Sequence, residues 1–280
     1  MAVDKLIDSA QLESDLTDVA DAIRAKTGGT ADLAFPADFV SEIGSISGGD
    51  DLLEKCNNKT LTSYSSSNIT QVKRYMFYQN GSLKHIDLPN CTVVAVHGFD
   101  ESGVVTYNLP KLTSIQNSGF RACKIVTAYF PLVTNFEQAA FDSCKTIVTA
   151  VLPRVGVAVK CFYGCTALKT VDLTNAGTLQ TQAFMNSSVL DTLILRRGTQ
   201  LTALGNISAF SGTPFASGNS GGTIYIPKVL YDELGTGSTL DYKAATNWST
   251  VDAYGTITWA QIEGSQYENY YADGTPIPTT

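Results

Sequence analysis

The apolar positions along the middle of the chain form a repeat. Phe77, Phe99, Phe120, Phe141, Phe162 and Phe184 follow one another at steps of 22, 21, 21, 21 and 22 residues, and a longer step of 26 reaches Phe210. Ten or eleven residues after each comes Leu88, Leu109, Phe130, Leu152, Leu173 or Leu195. Two residues before that column stand Ile86, Tyr107, Ala128, Ala150, Val171 and Leu193. Five residues before the next phenylalanine stand Val72, Val94, Ile115, Phe136, Val157 and Leu179. Four columns in register over six turns define a repeat architecture, and each turn is its unit.

Alternation within stretches such as "LKTVDL" predicts one short strand per turn, with every second side chain pointing inward. One turn cannot bury that inner face alone, so neighbours stack about 4.8 Å apart and share a continuous core. Six such turns make a rod about 30 Å long, whose open ends need caps. Pro89, Pro110, Pro131 and Pro153 follow the first four strands, where a missing N–H stops the pairing. The turns at Phe99 and Phe120 are one residue short before the strand, Thr174 and Arg196 replace the proline in the last two turns, and the final turn carries an insertion.

The same columns dispose of the cysteines. Three residues after the phenylalanines lie Asn80, Ser102, Cys123, Cys144, Cys165 and Ser187, which reads as a slot for small residues rather than a ligand set. Cys161 takes the position of Gly98, Gly119, Ala140 and Ala183, and Cys91 takes a packing position; Cys56 lies outside the repeats. The six cysteines contain no C-x-x-C pair, so no zinc signature is present and no cofactor is expected. Stacked thiols are expected within reach of oxidation to a disulfide during handling.

Flanking segments lack the period. Leu12, Leu16, Val19 and Ile23 form an amphipathic stripe with Ser9 as N-cap, ended by "TGG" at Thr27–Gly29, and a second short helix is expected from Pro36. The stripe serves either as an oligomer seam or as packing onto that second helix. "SISGGDD" reads as a linker. After the repeats, Ile224 and Ile226 extend the sheet, and a helix from Pro227 is expected to lay Val229, Leu230 and Leu234 over the open end, with Trp248 as packing. The resulting division is a helical N-terminal module at 1–46, a linker at 47–51, the solenoid at 52–222, a β/α cap at 223–265 and an extended tail at 266–280.

Composition narrows the functional classes. Charged residues make up 16% against 44% apolar, which suits a strand-rich fold and excludes a disordered chain. A net charge of −7 argues against nucleic acid and against an anionic membrane surface, both of which call for a basic face. The first residues carry no basic and apolar leader, and no apolar run is long enough to span a bilayer, so the expected route is synthesis in the cytoplasm without a Sec signal.

The pattern in "FYGCTALKTVDL" and "FDSCKTIVTAVLP" resembles the BspA-type leucine-rich-repeat family over about Ile69 to Phe210. The resemblance implies a mainly β leucine-rich-repeat solenoid with short helices, about six turns of 21–22 residues. The segment "DKLIDSAQLESDLTDVADAIRAKTGG" resembles the N-terminal modules of tail-associated proteins of phages and prophages infecting Gram-positive gut bacteria, and "GGTIYIPKVLYDELGTGSTLDYKAATNWS" resembles their closing element. That implies a virion-tail location, other tail proteins as partners through the N-terminal module, and a homo-oligomer, a trimer by analogy.

Catalysis finds little support. Only His85 and His97 are present, His97 sits at a tight bend as a structural residue, and no nucleophile, Walker or zincin motif can be read. Asp87 and Asp172 share a column but stand four turns, roughly 19 Å, apart, too far for either glycosidase geometry. The outward strand positions suit binding better. One column is His85, Thr106, Thr127, Thr149, Thr170 and Thr192; the other, Asp87, Asn108, Tyr129, Val151, Asp172 and Ile194, varies in chemistry while the interior stays fixed. His85, Asp87, Asn108, Tyr129 and Asp172 are the candidate contacts for a glycan or protein on a bacterial surface. The alternatives are a bacterial cell-surface adhesin of the same repeat type and, less favoured, a polysaccharide depolymerase.

Overall fold

Among the described residues, fifteen short strands carry out the winding. The computed structural model describes residues 58–152, 159–198 and 200–278. The expected N-terminal module and linker, Cys56, Pro153 and Val157 lie outside these residues. Lys59–Thr280 form one compact unit.

One side of each turn is a parallel strand. β1 (Ser63–Ser65), β3 (His85–Asp87) and β5 (Thr106–Asn108) make one sheet. β7 (Thr127–Tyr129), β9 (Thr149–Leu152), β10 (Thr170–Leu173), β12 (Thr192–Leu195), β14 (Gly222–Ile226) and β15 (Ile257–Gln261) make a second, in that order. On another side run two-residue strands: β2 (Gln71–Val72), β4 (Val93–Val94), β6 (Ser114–Ile115) and β8 (Asn135–Phe136) in one ladder, β11 (Thr178–Leu179) and β13 (Ala203–Leu204) in another. The register follows the columns: His85 pairs with Thr106, and Thr149 with Thr170 and Thr170 with Thr192.

The phenylalanines close the third side. Phe77 to Phe99, Phe120, Phe141, Phe162, Phe184 and Phe210 stack in file with centroids 5.2, 5.0, 5.7, 5.3, 6.0 and 5.8 Å apart, every ring buried. Offset aromatic stacking at this spacing adds about 1 kcal/mol per pair to the area buried. Around each ring from Phe77 to Phe184 the backbone alternates. The residues two before it (Tyr75, His97, Ser118, Ala139, Lys160, Gln182) and two after it (Gln79, Glu101, Ala122, Ser143, Gly164, Asn186) lie at φ between +54° and +65°. For an L residue that conformation costs about 1 kcal/mol. It turns every second N–H along the rod: Phe99 N–H donates to Gly119 O and Glu101 N–H to Arg121 O, both at 2.8 Å, and the pattern recurs turn after turn. The residue before the ring must be small, because a Cβ on Gly119 would sit 2.8 Å from Ile115 Cγ2.

The small slot after the ring has a further requirement. Cys123, Cys144 and Cys165 Sγ donate to Phe99, Phe120 and Phe141 O of the preceding turn at 3.0, 2.9 and 3.1 Å, and Ser187 Oγ donates likewise to Phe162 O at 2.8 Å. The Asn80 amide faces Lys59 O and Leu61 O, so the hydrogen-bonding orientation is the one in which its nitrogen donates to both. Ser102 Oγ instead lies 3.3 Å from Cys123 Sγ; at the other five positions the slot holds a small donor to a carbonyl of the preceding turn, which explains the exchange of Cys, Ser and Asn better than size alone. Burial pushes the Cys123 thiol up to about 12 and the Cys144 and Cys165 thiols well above their ordinary value. These three are inert scaffold thiols, and they are not joined in disulfides.

The far end is capped differently from expectation. The helix α1 (Lys228–Tyr231) is a single turn in which only Leu230 is buried, and Val229 is 46% exposed. Trp248, opening α2 (Trp248–Asp252), closes the core instead: its ring lies 5.8 Å from Phe210 and its Nε1 donates to Thr202 O at 2.7 Å. The tail is not extended either. Residues 266–278 fold back as a small hairpin in which Tyr271 N–H donates to Thr275 O and Ile277 N–H to Asn269 O.

Candidate functional site: the outer face of the sheet

The outward columns divide at the third turn. On the open half His85, Thr106, Thr127 and Asn108 are exposed, with Asp87 and Tyr129 half-buried. Ser65 Oγ donates to Asp87 Oδ2 at 2.9 Å and Asn108 Nδ2 to Asp87 Oδ1 at 2.8 Å, so three successive turns share one carboxylate. Those two bonds hold the Asp87 carboxyl below its usual range. His85 Nδ1 lies 2.9 Å from Thr106 Oγ1. The array is preorganised by the ladder beneath it, and its polar atoms face solvent.

On the other half Val151, Asp172 and Ile194 are buried. Asp172 is therefore not a contact residue: its carboxylate holds the tail hairpin. Arg196 Nε and Nη2 donate to Asp172 Oδ1 and Oδ2 at 2.7 and 2.8 Å, and Ala272 N–H donates to Oδ2 at 2.9 Å. The same guanidinium reaches Tyr267 O at 2.6 Å and Tyr270 O at 2.8 Å, and lies over the Tyr271 ring. Burial pushes the Asp172 carboxyl up, against the downward pull of Arg196. Tyr271 ends 6.4 Å from Tyr129, which marks the boundary between the halves.

At that boundary the sheet splits, since no ladder joins β5 to β7. The cause is Tyr107, an inward position filled elsewhere by Ile86, Ala128 or Ala150. Its ring stacks on Phe130 at 4.9 Å, and its hydroxyl replaces the ladder, donating to Thr127 O at 3.0 Å and accepting from Tyr129 N–H at 3.0 Å. Burial pushes this phenol up to about 12. A shallow cleft of about 410 Å³ opens there, lined by Val105, Thr106, Tyr107, Val126, Thr127 and Tyr129.

His97 lies elsewhere, on the ridge. It stacks flat on Tyr75 at 5.0 Å, and its Nδ1 lies 2.7 Å from Asp100, which also pairs with Arg121 Nε at 2.8 Å. Arg121 continues through Glu101 and Gln79 to Lys59, a side-chain chain along the rod that the columns did not single out. Among the described residues no three His, Cys, Asp or Glu side chains converge as metal ligands, and no helix is long and apolar enough to cross a membrane.

Stacked turns of 21–22 residues with a fixed interior and a variable outer face define a leucine-rich-repeat solenoid. The BspA type leucine-rich-repeat region matches in six copies over residues 38–148 and 148–215, and the chain belongs to that family. Such repeats are typically non-enzymatic binding scaffolds. A solved leucine-rich-repeat protein from Bacteroides ovatus is similar at 12% identity with a TM-score of 0.30, covering 71% of this chain and 66%, just under two thirds, of its own. No curated protein matches.

Proposed function

We propose that this chain is a non-catalytic receptor-binding protein of a phage or prophage tail, contacting a glycan or protein on a bacterial surface through the open half of its outer face. The observation that carries the binding role is the shared Ser65–Asp87–Asn108 array beside His85, held rigid by the ladder yet left uncovered while the adjoining half of the same face is sealed. The assignment to a tail rests on the resemblance of the flanking segments, with other tail proteins engaged through residues 1–46. A bacterial adhesin built on the same repeats is the second reading, favoured by the family membership, and gene neighbourhood separates the two.

Combined alanine replacement of His85, Asp87 and Asn108 tests the site. Asp172 is left intact because it is internal, and Tyr129 because it leans on Tyr271. Binding to host cells is expected to fall about tenfold or more while the melting temperature stays unchanged. Unaltered binding removes this face from the contact. Incubation with host capsule is expected to release no new reducing ends; their release would instead establish a depolymerase.

A further inference from the structure

Trp248 closes the core of the rod, but the sheet beside it stays open. β15 is the last of six strands, and only one of its edges is paired. Gly222 N–H donates to Thr256 O and Ile262 N–H to Ile226 O, both at 2.9 Å. Successive residues of a strand aim their main-chain groups at opposite edges, so Thr256, Thr258, Ala260 and Ile262 serve β14. Ile257, Trp259 and Gln261 aim both N–H and C=O away from β14, and among the described residues these groups bond to nothing. Their side chains keep the ordinary alternation. Trp259, opposite buried Ile224, packs inward on Tyr242 and Trp248, while Thr258 and Ala260 point outward beside Thr223 and Tyr225.

An open edge is ordinarily blunted by a lysine, a proline, a bulge or a covering segment. β15 reads Ile-Thr-Trp-Ala-Gln, without charge or proline, and runs five residues in unbroken register with β14. Inside the rod the break between β5 and β7 is bridged by the Tyr107 hydroxyl, and among the described residues β15 has no such substitute. Ile257, Trp259 and Gln261 are half-buried, whereas Ile224 and Ile226 opposite them are fully buried, so the last strand has room for one more beside it. A groove of about 440 Å³ lies there, lined by Trp259, Ala260 and Gln261 together with Tyr231 of α1. Consecutive side chains point to opposite faces, so what these three strand residues present in common is the edge itself. The helix α1, which packs against β15, leaves Val229 and Tyr231 exposed.

We infer that this edge pairs with the same edge of a second copy, antiparallel about a two-fold axis at Trp259. In that register Trp259 faces Trp259 and Ile257 faces Gln261 of the other copy, so each of the three residues donates one bond and accepts one. The outward pairs are Thr258 with Ala260, small and uncharged, so two chains of net charge −7 meet without like charges opposed on the paired strands. This match of the edge to itself favours a second copy over a foreign strand, and it does not depend on the Asp87 array binding anything. Gln261→Pro removes an N–H of the open edge and sets a ring in its place, while costing no bond to β14. Light scattering of the whole protein is expected to give wild type twice the mass of this variant, at an unchanged melting temperature. The paired replacement Thr258→Cys with Ala260→Cys sets thiols across the axis at the roughly 4.5 Å Cα spacing of a non-hydrogen-bonded pair, so mild oxidation should yield a covalent dimer on a non-reducing gel. Equal masses for wild type and Gln261→Pro, or no cross-linked dimer, overturns the inference. Host-cell binding lost in Gln261→Pro at equal mass also overturns it, and assigns the edge to a strand of a partner protein.

Discussion

β3 and β10 are equivalent strands of one repeat, yet their central carboxylates meet opposite fates. Asp87 on the first stays at the surface with its pKa held down by Ser65 and Asn108. Asp172 on the second is sealed, its pKa pushed up by burial, with a bidentate arginine as partner. Nothing in the strands themselves accounts for this, since each presents the side chain outward at the same register. The difference comes from residues 266–278, which lie across one half of the face and stop at Tyr129. In a solenoid the repeat builds the surface, and a non-repeating segment decides how much of it remains available for binding.

The sharpest way to break the comparison is to release the tail. Arg196→Ala leaves Asp172 as a buried charge and takes away the donor to Tyr267 O and Tyr270 O, a loss expected to cost about 3–5 kcal/mol at neutral pH. Without the guanidinium the Asp172 carboxyl rises further above its unfolded value. The folded chain then takes up a proton more readily than the unfolded one, so the penalty shrinks as pH falls toward the ordinary carboxylate range. Chemical denaturation of wild type and variant at pH 7 and pH 4 measures this, and limited proteolysis should cut the variant first within 266–278. A penalty of equal size at both pH values would show that the arginine acts by packing alone.

The boundary between the halves gives a smaller effect. Above pH about 10 an unfolded Tyr107 gives up its proton while the folded one keeps it, its phenol being pushed up to about 12. Stability is therefore present below pH 10 and falls as pH rises, by about 3 kcal/mol for this group once the folded phenol ionises. Tyr107→Phe removes that dependence and costs about 1–2 kcal/mol at neutral pH, because Tyr129 N–H loses its acceptor. Urea melts between pH 8 and 12 compare the two proteins; parallel curves would mean that the hydroxyl does not bridge β5 and β7.

Much of this molecule was legible because stacking forces neighbours to repeat. The register His85–Thr106 and the file of phenylalanines could be read as spacings. The tail could not, since its contacts join residues as far apart as Ala272 and Asp172 and leave no period. One signal was present: Arg196 replaces the residue that ends other strands, and a charge there needs a partner. Tyr107 was also visible as the bulkiest member of an otherwise aliphatic or small column, next to the two short turns, where the sheet in fact splits. The left-handed positions left little trace, because all but Gly164 are occupied by residues such as Tyr75, His97 and Lys160 rather than glycine, their cost being offset by bonds between turns.

The smallest expected effect concerns the feature shared by both halves, the thiol column. If the slot selects a donor, Cys144→Ser keeps the bond to Phe120 O and should change stability by less than about 1 kcal/mol, whereas Cys144→Ala loses it and leaves that carbonyl buried without a donor, costing about 1–2 kcal/mol. Size alone predicts the reverse order, since alanine is the more apolar substitute in a dry interior. Thermal melts of the two variants decide between these accounts. With their pKa values raised by burial, the thiols at 123, 144 and 165 should also resist an aromatic disulfide reagent at pH 8 until the chain unfolds. Labelling of the native protein at any of the three would mean that the turns part readily. The rigidity on which the Asp87 array depends would then be lost with them.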